Sequence, residues 1–390
     1  MASEAPDELT ASSAFAAGGR SADLRWMQMA LALARRGLGA AWPNPAVGCV
    51  IVNQGRVVGR GWTQPGGRPH AETEALRRAG EAARGATLYV SLEPCCHWGQ
   101  TPPCADALIA AGVRRVVIAL EDPDPRVGGG GIQRLRNTGL AVEIGPGAEE
   151  AAEMNAGFLI HRRLGRPLVT LKLATSLDGR IATASGESQW ITGPPARERA
   201  HLMRAAHDAV MVGTGTVLAD DPQLTCRLPG LRCRSPVRVV LDRRLRIPLS
   251  AQVIAGAAHV PTWVVTLPSA DPARRELLLA AGAVVIEIGH DREGIIDLTA
   301  TLATLAERGL TRLLVEGGAG LAAALLRAHL VDRLAWFHAP LLIGGDGMPA
   351  IVTLGLGALS DAPGFEPIAT ETVGDDRLTM FRTRVSSPPV

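Results

Sequence analysis

Short β-type runs alternate with helical periods from Ala46 to Arg163 and again from Leu168 onward, which predicts an α/β chain of two consecutive domains. The Gly165–Pro167 stretch interrupts both patterns and marks the boundary. With 390 residues, 47% hydrophobic and 20% charged, the chain has material for two or three buried cores. The expected organisation is a tail over 1–20, a first domain over 21–165 and a second over 166–390.

In the first domain, Met27, Leu31 and Ala34 form one helical stripe within Asp23–Gly37, and Gly37 supplies a C-cap. Ala46–Val52 and Arg56–Gly61 read as a hairpin turning at Asn53–Gly55. A helix (Ala71–Arg78), a strand (Leu88–Leu92), a Pro/Cys-rich loop, a helix ending at Gly112 and a strand (Arg115–Leu120) follow. Asp122–Gly131 is a Pro/Gly loop, Leu140–Ile144 a strand and Glu149–Arg163 one helix. In the second domain, strands are expected at Leu168–Ala174, Ala209–Gly213, Val237–Leu241, Thr262–Thr266, Val284–Ile288 and Leu313–Val315. Leu334–Phe337 and Leu378–Arg384 complete a mixed sheet.

Forty basic residues nearly cancel 38 acidic ones, giving +2, and no Lys/Arg run forms a face for nucleic acid. Small-molecule partners are the expectation, with neither nucleic acid nor membrane. Met1–Arg20 lacks the basic and apolar regions of a signal peptide and reads as a loose tail. No stretch has the length and apolarity of a bilayer span, and the default location is the cytoplasm. The six cysteines cluster in a way that suggests metal binding rather than a disulfide scaffold.

His70-Ala71-Glu72 is followed by Pro94-Cys95 and Pro103-Cys104. One imidazole and two thiolates make a zinc set that leaves a fourth position for water. Glu72, two residues from His70, is placed to move protons without being a ligand. Zinc nucleobase deaminases carry H-x-E and then P-C-x-x-C; here the second cysteine comes nine positions after Cys95, so a longer loop stands at the site. A lone His-x-Glu is a common helix start, and Cys95 and Cys104 taken singly read as buried thiols. The combination outweighs those readings. Cys96 and His97 compete as ligands, whereas Cys49, on an alternating strand, is a core residue.

The words Pro43-Asn44-Pro45-Ala46-Val47-Gly48, His70-Ala71-Glu72 and Glu93–Cys104 resemble the deaminase half of the bifunctional riboflavin-biosynthesis deaminase–reductase family. The resemblance implies a cytidine-deaminase-like α/β/α domain. Zn2+ would be held by His70, Cys95 and Cys104, with Glu72 as proton carrier and Asn44 against the substrate base. An Asn holding a turn between prolines reads almost as well. Thr63 stands where the family often has histidine and Gln100 where it often has Lys or Arg, which leaves the phosphate contacts of this site open.

Val315-Glu316-Gly317-Gly318-Ala319-Gly320 reads as strand, glycine turn and helix N-terminus, a place for phosphate. Val212–Thr216 is a second glycine turn, and the spacing is not the Rossmann fingerprint. These words, with Lys172–Arg180, Gly186–Gly193 and Asp220–Arg227, resemble the reductase half of the same family, similar in fold to dihydrofolate reductase. The resemblance implies NADPH against Ala174, Trp190, Thr216, Asp220, Gly317, Gly318 and Gly320. It places substrate against Ser188, Arg204, Leu224, Arg227 and Glu316, with Lys172 and Thr192 nearby. Arg204 and Arg227 read equally as surface charges, and Arg243-Arg244 as a solvated turn or a 2′-phosphate contact.

The activity implied is deamination of a phosphorylated ribosylaminopyrimidine followed by NADPH reduction of its ribosyl chain, in a homo-oligomer. The rival readings are an RNA or nucleoside deaminase with an accessory nucleotide-binding domain, and a zinc-stabilised binding module. Intact Glu72 argues against the latter, because a structural zinc site needs no proton carrier.

Overall fold

The computed structural model describes residues 8–124 and 127–384, with backbone alone over 8–20. The chain divides into two compact units, Met1–Arg162 and Arg163–Val390.

The first unit opens on α1 (Glu8–Ala34) and the hairpin β1 (Gly48–Asn53) and β2 (Arg56–Trp62). Next come α2 (Ala71–Ala79), β3 (Thr87–Val90), α3 (Cys104–Ala111), β4 (Arg115–Ile118) and α4 (Gly130–Asn137). It closes with β5 (Ala141–Ile144), α5 (Ala148–Met154) and α6 (Ala156–Leu164). The loose tail expected through Arg20 is corrected in part: residues 8–20 are helical, and 1–7 lie outside the described residues. Alanines at 11, 14, 16 and 17 have the highest helix propensity and extend the helix toward the N-terminus. The single helix expected over Glu149–Arg163 is two, parted at buried Asn155, whose Nδ2 donates to the Ala151 carbonyl at 3.3 Å.

The five strands run β2-β1-β3-β4-β5. β1 is antiparallel to β2 and β3, while β3, β4 and β5 are parallel. Period-two alternation sorts the strand residues into two cores. Cys49, Ile51, Leu88 and Ile118 share one core with Ala71, Ala75 and Leu108 of α2 and α3. Val50, Val52, Tyr89 and Val117 share the other with Met27 and Leu31 of α1. Helices thus cover both faces, as the α/β/α expectation requires. Gly59 and Gly61 let α2 approach closely: a Cβ at either would stand 2.3 or 2.2 Å from the Ala75 or Ala71 carbonyl oxygen. Bare backbone on β2 therefore sets where α2, with His70 at its start, comes to rest.

The second unit begins with β6 (Leu168–Thr175), β7 (Arg180–Ala182), α7 (Pro194–Ala205), β8 (Ala209–Gly213) and α8 (Thr214–Asp220). Then follow β9 (Val237–Leu241), α9 (Gln252–Ala255), β10 (Thr262–Thr266), α10 (Pro272–Ala280), β11 (Val284–Glu287) and α11 (Leu298–Glu307). β12 (Arg312–Glu316), α12 (Ala319–Arg327), β13 (Arg333–His338), β14 (Met348–Pro349), β15 (Phe365–Val373) and β16 (Asp376–Thr383) complete it. The large sheet runs β11-β10-β9-β8-β12-β6-β13-β16-β15. It is parallel from β11 to β13 and antiparallel at β16 and β15.

β15 was not expected from the sequence. Its residues are mostly exposed, its register shifts between Pro367 and Ala369, and it lies at the sheet edge. Such a strand is held by its ladder with β16 and carries no apolar alternation to announce it.

Candidate active sites

In the first unit three segments far apart in sequence deliver one donor each. His70 precedes α2, Cys95 follows β3 on the strap Leu92–Cys95, and Cys104 begins α3. His70 Nδ1 lies 3.7 Å from Cys95 Sγ and 3.3 Å from Cys104 Sγ, and all three donor atoms fall within 4.8 Å of one another. Tetrahedral zinc with ordinary Zn–N and Zn–S bonds needs N···S edges of about 3.6 Å, so this donor set fits the ion. The Cys104 N–H donates to Cys95 Sγ at 3.3 Å, tying the strap to the helix. Hydrogen bonding from Cys104, with help from the His70 imidazole, pulls the Cys95 thiol down to about 4. Cys95 is thereby disposed to be the thiolate a metal requires.

Glu72 sits in the first turn of α2 and is only 4% exposed. Burial raises its pKa to about 6, partly offset by the His70 charge. A carboxyl tuned toward neutrality takes and returns protons readily at cellular pH. Cys49 is fully buried, as expected of a core residue. Asn44 Nδ2 donates to the Gly67 carbonyl at 2.9 Å and lies 3.4 Å from His70 Nε2, so the residue assigned to the base stands beside the metal ligand.

Asn44, His70, Glu72 and Cys95 line a cavity of about 410 Å³. Its walls also hold residues that motif reading did not single out. Arg162 is ion-paired to Asp124 at 3.2 Å, and Asp122 has its pKa pushed up to about 6 by burial. Arg68 and Trp98 complete the mouth. No sequence signal distinguishes these from surface charges, because their segments meet only in the fold. Thr63 reaches the cavity but is turned inward, accepting from the Val47 N–H at 3.0 Å.

In the second unit the two glycine turns follow adjacent parallel strands, β8 and β12. Gly317 and Gly318 adopt φ of 108° and 86°. A Cβ on Gly317 would come within 3.3 Å of Thr216 Oγ1, so the expected cofactor contacts Thr216, Gly317 and Gly318 are neighbours. The turn lies at the C-terminal end of its strand and leads into α12, an open backbone cradle of the kind a dinucleotide phosphate occupies. Gly320 lies in the first turn of that helix with nothing within 4 Å of its Cβ position.

Beside this cradle Arg204 grips Glu316 with two hydrogen bonds, Nε to Oε1 at 2.5 Å and Nη2 to Oε2 at 2.8 Å. Lys172 is the cross-strand partner of Glu316, and burial lowers its pKa. The Glu316 carboxyl is penalised by burial, yet the Arg204 charge and hydrogen bonds bring it down to about 2. Arg227 is close enough to feel Arg204 and Glu316, and its N–H donates to His201 Nδ1 at 3.4 Å. The structure therefore gathers Lys172, Arg204, Arg227 and Glu316, adds His201, and makes Arg204 and Glu316 each other's partners.

The other expected residues are placed differently. Ala174 lies two positions beyond Lys172 on β6. Leu224 is 2% exposed, has φ of +55° and packs into the core, so its side chain is a core element. Ser188 and Trp190 lie between β7 and α7; Trp190 is 66% exposed, with the Arg197 guanidinium 4.5 Å from its ring centroid. Thr192 offers its carbonyl to Arg197 Nη1 at 2.9 Å. Asp220 ends α8, and partial loss of solvent raises its pKa. Arg243 and Arg244 are exposed on the turn after β9.

Comparison with known proteins agrees with both halves. Residues 20–120 match the cytidine and deoxycytidylate deaminase zinc-binding region, and residues 167–377 match the RibD C-terminal domain. The riboflavin biosynthesis protein RibD of Escherichia coli is 44% identical over 365 residues, covering 91% of this chain and 97% of that protein. RibD of Bacillus amyloliquefaciens is 43% identical over 352 residues, covering 90% and 94%. Among solved structures, Acinetobacter baumannii RibD superposes with a TM-score of 0.83 at 41% identity, covering 93% of this chain and 99% of that one. The diaminohydroxyphosphoribosylaminopyrimidine deaminase/5-amino-6-(5-phosphoribosylamino)uracil reductase of Thermotoga maritima gives 0.82 at 35%, covering 94% and 99%. With a zinc site in its deaminase half and an NADPH site in its reductase half, the chain belongs to the RibD family of bifunctional riboflavin-biosynthesis deaminase–reductases.

Proposed function

We propose that the first unit deaminates 2,5-diamino-6-(5-phosphoribosylamino)pyrimidin-4(3H)-one and that the second reduces the product, 5-amino-6-(5-phosphoribosylamino)uracil, to its ribityl form. The observation that carries this reading is the clustering of the His70, Cys95 and Cys104 donor atoms within 4.8 Å beside a cavity lined by His70, Cys95 and buried Glu72. The substrate class is that of the similar Thermotoga maritima enzyme. Residues 21–165 are assigned to deamination and 166–390 to reduction.

Zn2+ held by His70, Cys95 and Cys104 would supply the Lewis acidity that lowers the pKa of a water toward neutrality. Glu72 carries one proton of that water to the ring nitrogen beside the amino-bearing carbon, and then the second, from the hydroxyl now on that carbon, to the departing amine, which leaves as ammonia as the carbonyl forms. Asn44, held by Gly67, lies against the base and orients it. NADPH bound in the second unit would supply the hydride for reduction at C1′ of the ribosyl chain in its ring-opened imine form. Thr216, Asp220, Gly317, Gly318 and Gly320 would hold the cofactor, with Ala174 and Trp190 also placed toward it. Glu316, locked by Arg204 and facing Lys172, aligns the ribosyl chain with Ser188, Arg227 and the Leu224 backbone. Asp220 delivers the proton that the imine nitrogen acquires.

The same reading describes a cytoplasmic homo-oligomer without a nucleic-acid partner. Among the described residues no helix is long and apolar enough to cross a membrane. The RNA-deaminase alternative predicts salt-sensitive retention on an RNA column, which this reading does not. The test is to incubate zinc-loaded protein with the diaminopyrimidinone nucleotide and follow ammonia and NADPH absorbance. Ammonia without NADPH, then stoichiometric NADPH oxidation once it is added, supports both steps in that order. Absence of both signals sinks the assignment.

A further inference from the structure

We propose that Arg68 is the residue that takes up the 5′-phosphate of the deaminase substrate. The inference rests on the deaminase reading and names the contact that the neutral side chains of Thr63 and Gln100 leave without a cation. Among the described residues, two arginines line the cavity, Arg68 and Arg162. Arg162 is committed: its Nη2 lies 3.2 Å from Asp124 Oδ2, its guanidinium stands 5.3 Å from the Phe158 ring, and Asp122 shares that wall. A phosphate dianion approaching that side meets carboxylates as well as a cation.

Arg68 is placed otherwise. It is half-buried, and Nη1 donates to the neutral Thr101 hydroxyl at 2.6 Å. Nη2 lies 3.1 Å from where a Gly99 Cβ would stand, so the guanidinium is spread against the Gly99–Thr101 loop at the cavity wall. No carboxylate of the described residues forms an ion pair with it. Gln100, on the same loop, is uncharged, and Thr63 Oγ1 spends its hydrogen bonding on the Val47 backbone. A planar guanidinium with unspent donors binds phosphate through two parallel hydrogen bonds, which a neutral amide does not reproduce. Arg68 is also two residues from His70, so recognition of the phosphate and placement of the ring are set by one short segment.

The experiment measures ammonia release by the zinc-loaded full chain from the nucleotide and from its dephosphorylated counterpart, in wild type, Arg68→Ala and Arg68→Lys. Losing a charge-assisted phosphate contact raises KM for the nucleotide about 10- to 100-fold. The preference for nucleotide over nucleoside collapses in Arg68→Ala and is partly kept in Arg68→Lys. An equal change for both substrates, or an unchanged preference in either variant, overturns the proposal. Calorimetric titration with ribose 5-phosphate gives a second readout: one binding site is lost in Arg68→Ala, and its persistence overturns the proposal. A wild type that binds ribose 5-phosphate through Arg68 yet releases no ammonia would defeat the deaminase reading and leave the phosphate site standing.

Discussion

Gly67 packs its bare Cα against the amide of Asn44, so that a Cβ on Gly67 would stand 2.6 Å from Asn44 Cγ. Gly67 also has φ of +83° and offers its carbonyl to Asn44 Nδ2 at 2.9 Å. One glycine therefore both makes room for the side chain assigned to the base and fixes its rotamer. Gly67→Ala adds backbone strain and pushes Asn44 aside. Displacement on this scale lowers the kcat/KM of deamination by about 100-fold. NADPH oxidation with the deaminated intermediate stays at the wild-type rate. Equal loss in both assays would mean a folding defect instead.

Glu93 is a second positioning residue. Its Oε1 accepts from the Gly131 and Ile132 N–H groups at 2.9 and 3.0 Å, and its Oε2 from those of Asp122 and Gly129, both at 3.1 Å. One buried carboxylate thus binds the strap bearing Cys95 to the loop bearing Asp122 and to the start of α4. Glu93→Gln turns an NH2 group toward backbone donors and leaves buried groups unmatched, at a cost of about 3 kcal/mol. The expected results are a lower first unfolding midpoint and faster loss of zinc to a chelator. A zinc off-rate equal to wild type would refute the role.

His207 supplies a pH signature for the second unit. It is buried between the Met203 carbonyl, 2.7 Å from Nδ1, and Thr170 Oγ1, 3.0 Å from Nε2. Burial, reinforced by the Arg312 charge, lowers its pKa to about 4. Below its ordinary value the unfolded chain takes up a proton that the folded one refuses, so stability falls as pH drops from about 6.5 to 4. The full difference is about 3 kcal/mol. Urea midpoints of the reductase transition at pH 7 and pH 4.5 measure it, and His207→Gln should flatten the slope. An unchanged slope in that variant would assign the effect elsewhere.

The sequence by itself determined the α/β alternation, the two-part organisation and the chemical types at the zinc site. Periodicity is local: Val50 and Ile51 face opposite cores because neighbouring strand residues must, whatever surrounds them. His70-Ala71-Glu72, Cys95 and Cys104 were legible because three ligand types and a proton carrier must all be present, each within a short word.

Only the tertiary structure decided which distant side chains meet. Arg204 and Glu316, 112 positions apart, bond to each other, and Leu224 turns into the core. Arg162 is spent on Asp124 while Arg68 is not. Edge strand β15 carries no apolar alternation, and its pairing with β16 alone makes it a strand. Such facts depend on the distances and desolvation that arise once segments pack, and a charged residue's role follows from the partner packing brings to it.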